Sequence, residues 1–242
     1  MPRIFLPLPE IEAGLVSVTG EDARYLATVL RCRAGDQITV GDSRSRVYSG
    51  SIVRATKREV TIEITGTGRA ADTESPLGIT LLQGLLKGDR MDLVIQKATE
   101  LGVSEIVPVI TERSQVRETR KRARWQKIAQ EASRQSGRSH IPAVRDPVDI
   151  ESVFSERPVS GDGIMFWEEG GEKLSTVVGQ LRGQGMIELF TGPEGGFSEE
   201  EVRAARGKGF AVATLGRRIL RAETAAIVAL GIVQYRLGDL GD

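Results

Sequence analysis

At 242 residues the chain can bury a core as one large domain or as two smaller ones. Its single cysteine, Cys32, excludes an intrachain disulfide, a cysteine-rich zinc site and a Cys-ligated iron–sulfur cluster, and fits a reducing, cytoplasmic setting. The formal net charge is zero but segregated: residues 31–58 carry seven Lys/Arg against two Asp, 113–145 carry ten Lys/Arg against two Glu, and 146–201 carry thirteen acids against three Lys/Arg.

Local potential draws phosphate whatever the total charge, so the two basic zones point to a polyanion partner; the plain alternative is the charge bias common on solvated helices. The start, MPRIFLPLPEIEAG, lacks the basic-then-apolar profile of a signal peptide, and nowhere do eighteen apolar residues run together, so neither secretion nor a membrane is expected. Short strands are predicted at 4–6, 15–18, 37–41, 46–53 and 59–64, with Val60, Ile62 and Ile64 sharing one face. One helix interrupts them. In TGEDARYLATVLRCRAGD, Tyr25, Leu26, Val29 and Leu30 recur at helical spacing, Thr19 is the candidate cap and Gly35 the stop. Strands with a single helix predict a small β-barrel domain over 1–70. The glycine-rich, polar GTGRAADTESP then places a linker at 71–76.

From 77 to 242 the pattern becomes strand, helix, strand. GITLLQGLL reads as a strand buried in a parallel sheet, followed by a helix over 89–101 and the strand EIVPVI. A helix over about 121–135 carries Trp125, Ile128, Ala129 and Ala132 on one side, and GIMFWE, MIELFTG and FAVATLG are further strands. The last helix, RAETAAIVALGIVQYRL, is apolar nearly all round and is expected to be buried on every side. The alternation predicts an α/β domain with helices on both faces of a mostly parallel sheet.

Ligands of such sheets bind at the carboxyl ends of strands. MIELF ends in TGPEGGFSEEEV, where Gly192, Gly195 and Gly196 permit positive φ and close approach of the backbone, and Pro193 stiffens the turn. Ser198 and Glu201 form a predicted capping box, and Glu199, Glu200 and Glu201 complement the helix dipole, which makes this helix start a poor phosphate site. The segment is no dinucleotide fingerprint and the chain has no GxxxxGK[ST], so a neutral or cationic ligand fits better than ATP or NAD. A second strand ends in LGRRILRAETAA, and a third exit, FWEEGGE, lies after GIM. Each bend alone reads as an ordinary tight turn; three at one sheet edge predict a single cleft.

FTGPEGGFSEEEV followed by LGRRILRAETAAIVAL closely resembles the ribosomal RNA small-subunit methyltransferase E family of the SPOUT superfamily. RIFL, VLRCRAGD, LLKGDRMDLVIQKATELGVSEIVPVITERS and KIAQEASRQSGRSHIP look like family segments in family order, so the resemblance spans nearly the whole chain. It implies a parallel sheet ending in a C-terminal trefoil knot, preceded by a PUA-like RNA-binding barrel. It also implies S-adenosylmethionine as cofactor, 16S rRNA or the small ribosomal subunit as partner, methyl transfer to N3 of a uridine, and a homodimer. By position, the cofactor loops are Thr191, Gly192, Glu194 and Gly195, and Leu215, Gly216, Ile219, Leu220, Ala222 and Thr224. Arg31, Arg33, Arg44, Arg46, Arg113, Arg134 and Arg138 become candidate RNA contacts. The family often has histidines before VLR where this chain reads GEDARYLATVLR, so no contact by histidine is carried over.

A methyl group on a sulfonium is already activated, so placement and exclusion of water dominate and no metal is needed. Attack at C5 of uracil requires a cysteine, and Cys32 reads instead as a half-buried helix residue. Transfer to N3 requires loss of a proton, aided by a base or by cationic stabilisation of the uracil anion. Arg221, beside the cofactor loop, and Arg3, in RIF, are the catalytic candidates. His140, Glu100 and Glu131 read better as loop or helix-surface groups. Competing readings are a ribosome-assembly binding factor without turnover and a SPOUT enzyme acting on another base.

Overall fold

The computed structural model describes residues 2–42, 46–67, 73–156, 162–181 and 185–241. It forms two compact units, one of Met1–Glu74 with Ser133–Ile141, the other of Ser75–Ala132 with Pro142–Asp242.

The first unit contains β1 (Arg3–Phe5), α1 (Leu8–Glu12), β2 (Leu15–Thr19), α2 (Gly20–Arg24), β3 (Gln37–Gly41), β4 (Val47–Ala55) and β5 (Glu59–Thr67). They build a five-stranded mixed sheet in the order β1-β3-β4-β5-β2; among the described pairings β1 and β3 run parallel and the rest antiparallel. The alternation of EVTIEI is realised: Val60 and Ile62 are sealed in a core with Ile4, Val16, Ile38, Ile52 and Leu26, and Ile64 packs against it.

The helix after Thr19 departs from expectation at both ends. Thr19 precedes its first residue but makes no side-chain cap. At the other end α2 widens into a π-turn over Tyr25–Val29, closed by Leu30 N–H donating to Tyr25 O at 3.0 Å. The run then stops at Arg31, which takes φ 54°, four residues before Gly35. The wider turn shifts the apolar stripe: Leu26 is sealed, while Val29 and Leu30 face solvent.

The second unit contains β6 (Gly78–Gly84), α3 (Arg90–Glu100), β7 (Glu105–Ile110), α4 (Arg122–Ser136, whose last four residues group with the first unit), β8 (Ala143–Val144), β9 (Val148–Asp149), α5 (Ile150–Glu156) and β10 (Asp162–Phe166). β11 (Glu172–Lys173), α6 (Leu174–Gln180), β12 (Met186–Thr191), α7 (Glu199–Gly207), β13 (Ala211–Thr214) and α8 (Ala222–Leu237) complete it. Its eight-stranded sheet has the path β11-β13-β10-β12-β6-β7-β8, with β9 also on β7, and every described pairing is parallel. Helices α1, α5 and α6, each seven residues or shorter, were not predicted, because so few turns give no readable periodicity.

One face of this sheet is held by Phe154, Phe190, Phe197 and Phe210, with Phe190 and Phe197 edge-to-face at a centroid distance of 4.8 Å. On α8, Ala226, Ala229, Leu230 and Val233 are sealed at the i, i+3, i+4, i+7 spacing of one helical face, and the helix packs on α3 and β12. The expectation of burial on every side is therefore corrected: Tyr235 is 66% exposed and Ile232 37%. A helix lying on two neighbours covers only the stripe that meets them. Among the described residues no helix is long and apolar enough to cross a membrane.

Candidate active site

β13, β10 and β12 are adjacent and parallel, so their carboxyl ends open on the same edge of the sheet. A cavity of about 430 Å³ lies there, between the three strand exits, Arg90 at the start of α3 and the first turn of α8. The first exit contributes Phe166, Trp167 and Glu168, because β10 ends at Phe166, two residues before the predicted strand does.

The second exit is the glycine bend. Gly196 N–H donates to Pro193 O at 3.0 Å, closing a tight turn, and Gly196 has φ 70°, open to glycine at little cost. Gly192 and Gly195 do not use positive φ, contrary to expectation; they are small because of what stands beside them. A Cβ on Gly195 would lie 2.9 Å from Arg113 Cβ, and one on Gly192 3.3 Å from the Phe197 ring. Beyond the bend the predicted capping box is present: Ser198 N–H donates to Glu201 Oε2 at 2.9 Å and Glu201 N–H to Ser198 Oγ. The other Glu201 oxygen accepts from Glu112 N–H at 2.8 Å, tying the helix start to the residues after β7.

Two residues that the sequence reading missed hold this bend. Gln83 is sealed in β6, where Nε2 donates to the carbonyls of Gly84 and Gly192 at 2.9 and 3.2 Å and Oε1 accepts from the Thr191 hydroxyl at 2.8 Å. Gly84 lets the bend approach, since a Cβ there would lie 2.4 Å from Pro193 N. The readable signal was one amide inside an otherwise apolar strand, LLQG.

The third exit runs from Thr214 through Gly216 to Arg221, which precedes the first residue of α8. Ile219 lines the cavity and is 85% exposed, an apolar side chain at the mouth with no core to enter.

Three buried polar atoms at this cavity have no hydrogen-bond partner: Trp167 Nε1, Glu194 Oε2 and Glu223 Oε2. Glu194 is otherwise fixed, its Oε1 accepting from Lys87 N–H at 2.9 Å and from Arg90 Nη1 at 3.0 Å. Ser133 Oγ and Arg134 Nε in the first unit are also unpaired, but these three gather at one cavity, where a ligand would complete the bonding. The lining is rich in glycine and balanced in charge, with Glu168, Glu194 and Glu223 against Arg90, Arg218 and Arg221; Arg90 is engaged by Glu194, so the unpaired carboxylate oxygens are left for a ligand that brings hydrogen-bond donors.

Of the predicted cofactor residues, Thr191, Gly192, Glu194, Leu215, Gly216, Ile219, Leu220 and Ala222 line this cavity, as does the catalytic candidate Arg221. Gly195 and Thr224 do not: Gly195 faces Arg113, and Thr224 is exposed on α8. Arg3 is also absent from the lining. Its Nη1 donates to the carbonyls of Gly137 and Arg138, the latter at 2.6 Å, within the first unit. Burial lowers the pKa of Arg3, against an opposing pull from Glu74.

Arg31, Arg33 and Arg46 are exposed in the first unit, and Arg113 is exposed in the second, with Nη1 3.2 Å from Gly195 O. Arg44 lies outside the described residues. Arg134 and Arg138 turn inward, away from the surface role expected of them. Arg134 Nη2 sits 2.7 Å from Asp22 Oδ1 with its guanidinium over the Tyr25 ring, and Arg138 makes two hydrogen bonds to Glu74. Among the described residues no cluster of metal-ligating side chains occurs.

Known proteins resemble this chain in sequence and in fold. A profile of the RNA methyltransferase domain matches residues 73–234, and one of the RNA methyltransferase PUA domain matches residues 18–65. Ribosomal RNA small subunit methyltransferase E of Bacillus subtilis is 32% identical, over 98% of this chain and 97% of that protein; its Synechocystis counterpart is 33% identical, over 97% and 78%. A ribosomal RNA small subunit methyltransferase E from Neisseria gonorrhoeae, crystallised bound to S-adenosyl methionine, superposes with a TM-score of 0.90 at 37% identity over 99% of each chain. A Legionella pneumophila protein solved with bound cofactor SAM gives 0.81 at 35% identity over 98% of each. With a family profile covering most of its length and full-length relatives above 30% identity, the chain belongs to the ribosomal RNA small subunit methyltransferase E family.

Proposed function

We propose that this chain transfers a methyl group from S-adenosylmethionine to N3 of a uridine in 16S rRNA. The observation that carries the reading is the cavity at three parallel strand exits, where bare backbone meets buried, unpartnered polar atoms on Trp167, Glu194 and Glu223. When bound, the cofactor supplies a methyl group on a positively charged sulfur. The backbone of Thr191, Gly192, Leu215, Gly216 and Leu220 binds its neutral parts, Ile219 covers it from solvent, and Glu194 offers a second oxygen to its charge. Arg221 stabilises negative charge on the base being methylated. Excluding water and fixing the line of approach supply most of the acceleration, because the reacting carbon is already activated.

The same reading takes 1–70 as an RNA-binding domain, 71–76 as a linker and 77–242 as the methyltransferase domain, working in the cytoplasm, although Glu74 and the segment Ser133–Ile141 group with the first unit. Arg31, Arg33, Arg46 and Arg113 contribute phosphate contacts, whose affinity falls with salt. The SPOUT-type trefoil knot is supported by the strand order: the chain leaves β12, pairs β13 beyond β10, and returns as α8 onto α3 and β12. The apolar side of α8 left open at Ile232 and Tyr235 supports a homodimer. N3-methyluridine cannot form a Watson–Crick pair, so reverse transcription of 16S rRNA from a strain lacking the gene reads through a stop that the parent shows. An unchanged stop pattern refutes the assignment.

A further inference from the structure

Glu223, in the first turn of α8, is 9% exposed and its Oε2 is shut from water without a hydrogen-bond partner. Two carboxylates at the bend already hold donors: Glu194 Oε1 accepts from Lys87 N–H and Arg90, and Glu201 from Ser198 N–H and Glu112 N–H. A carboxylate oxygen shut from water with no donor to accept from is costly, and Glu223 lines the cavity beside Arg221. The ligand that enters must therefore bring a donor to it.

Resting on the proposed reaction, we infer that Glu223 accepts the N3–H of the target uracil, aims that nitrogen at the methyl group, and takes its proton as the methyl arrives. The proton leaves N3 for the carboxylate, N3 uses the electron pair so released to bond the methyl carbon, and the pair of the broken carbon–sulfur bond stays on sulfur. A carboxylate at this position also sets base choice. Cytosine presents a lone pair at N3 where uracil presents a hydrogen, so the carboxylate meets uracil with a hydrogen bond and cytosine with repulsion. Arg221, exposed at the same cavity, suits the oxygen on which the uracil anion delocalises.

The test is Glu223→Gln in the full-length protein, with small subunits from the deletion strain as substrate and calorimetry with S-adenosylmethionine and with its neutral demethylated product. The inference expects both cofactor forms to bind within about threefold of wild type and kcat to fall on the order of 100-fold or more, the range of a lost general base. KM should change little. The residual rate of E223Q should climb with pH as uracil ionises unaided, while the parent profile stays flatter there; a merely structural residue would not change the profile's shape. Glu223→Asp, which keeps the charge, should restore part of kcat and the flatter profile, and serves as the test variant if E223Q does not fold. A kcat within about threefold of wild type overturns the inference. So does a tenfold loss for S-adenosylmethionine without a matching loss for its product, which would assign the carboxylate to the sulfonium. Should wild-type protein bind the cofactor yet methylate no uridine N3, the proposed reaction fails first, and this inference with it.

Discussion

Glu74 and Arg138, 64 positions apart, are joined by two hydrogen bonds of 2.6 and 3.1 Å, with the Arg138 side chain only 4% exposed. The same carboxylate accepts from the backbone N–H groups of Ser139 and His140 at 2.8 and 3.0 Å, so one side chain fastens the whole 138–140 loop. Burial alone would raise the pKa of Glu74, but the Arg138 guanidinium and the two N–H groups outweigh it and hold the carboxyl below its ordinary 4.5.

Glu74→Gln should therefore destabilise the protein by about 3 kcal/mol at neutral pH, since it leaves a buried guanidinium without its counter-charge. A carboxylate with a lowered folded pKa contributes its stability above the unfolded value and loses it as pH falls through the folded one. The gap between parent and variant should be full at pH 7 and shrink below pH 4.5. Urea unfolding at a series of pH values measures it; a constant gap would show that the charge is not what matters.

Gly84→Ala places a methyl group 2.4 Å from Pro193 N and 2.7 Å from Gly192 C, both backbone atoms that cannot swing aside. The expected outcome is about 1–3 kcal/mol of destabilisation, with at least tenfold weaker binding of S-adenosylmethionine as the bend is pushed outward. Thermal unfolding and calorimetric titration read the two effects separately. Unaltered affinity would mean that the bend's position is unimportant to the cofactor.

Gln83→Leu keeps the volume and removes the amide, leaving the Thr191 hydroxyl and the Gly192 carbonyl without their present partner. A loss of about 2 kcal/mol follows from stranding buried polar groups. Because the Thr191 hydroxyl is the one side-chain group Gln83 is seen to bond, beside the Gly84 and Gly192 carbonyls, the double variant Gln83→Leu with Thr191→Val should recover part of that loss. Full additivity of the two substitutions in chemical unfolding would contradict the clamp.

Cys32 is buried in the core of the first unit, and burial together with the Asp36 charge raises its thiol pKa. A thiol-specific reagent at pH 7 should modify it only as fast as the protein opens, with a burst on addition of denaturant. Rapid stoichiometric labelling of the folded protein would place the side chain at the surface instead.

Two strong local patterns were legible and held. The alternation of Val60, Ile62 and Ile64 set the face of β5, and the Ser198–Glu201 pair set the start of α7, because side chains that act within four residues of themselves need no knowledge of the rest of the chain. The same local reasoning failed at Arg31, where the helix ended without the glycine it was expected to need, and at α8, whose apolar surface exceeds the area its neighbours cover.

The sequence by itself determined the two-part pattern of elements, the carboxyl-edge location of the glycine bends and the family. Only the tertiary structure decided which groups those bends present. It set Gln83 and Gly84 beneath the bend, turned Arg134 and Arg138 inward to Asp22 and Glu74, and left Glu223 buried without a partner. Pattern reports what a residue prefers beside its chain neighbours. Whether a charge is neutralised, or a polar atom left for a ligand, depends on residues tens to more than a hundred positions away, which only the folded chain brings within hydrogen-bond distance.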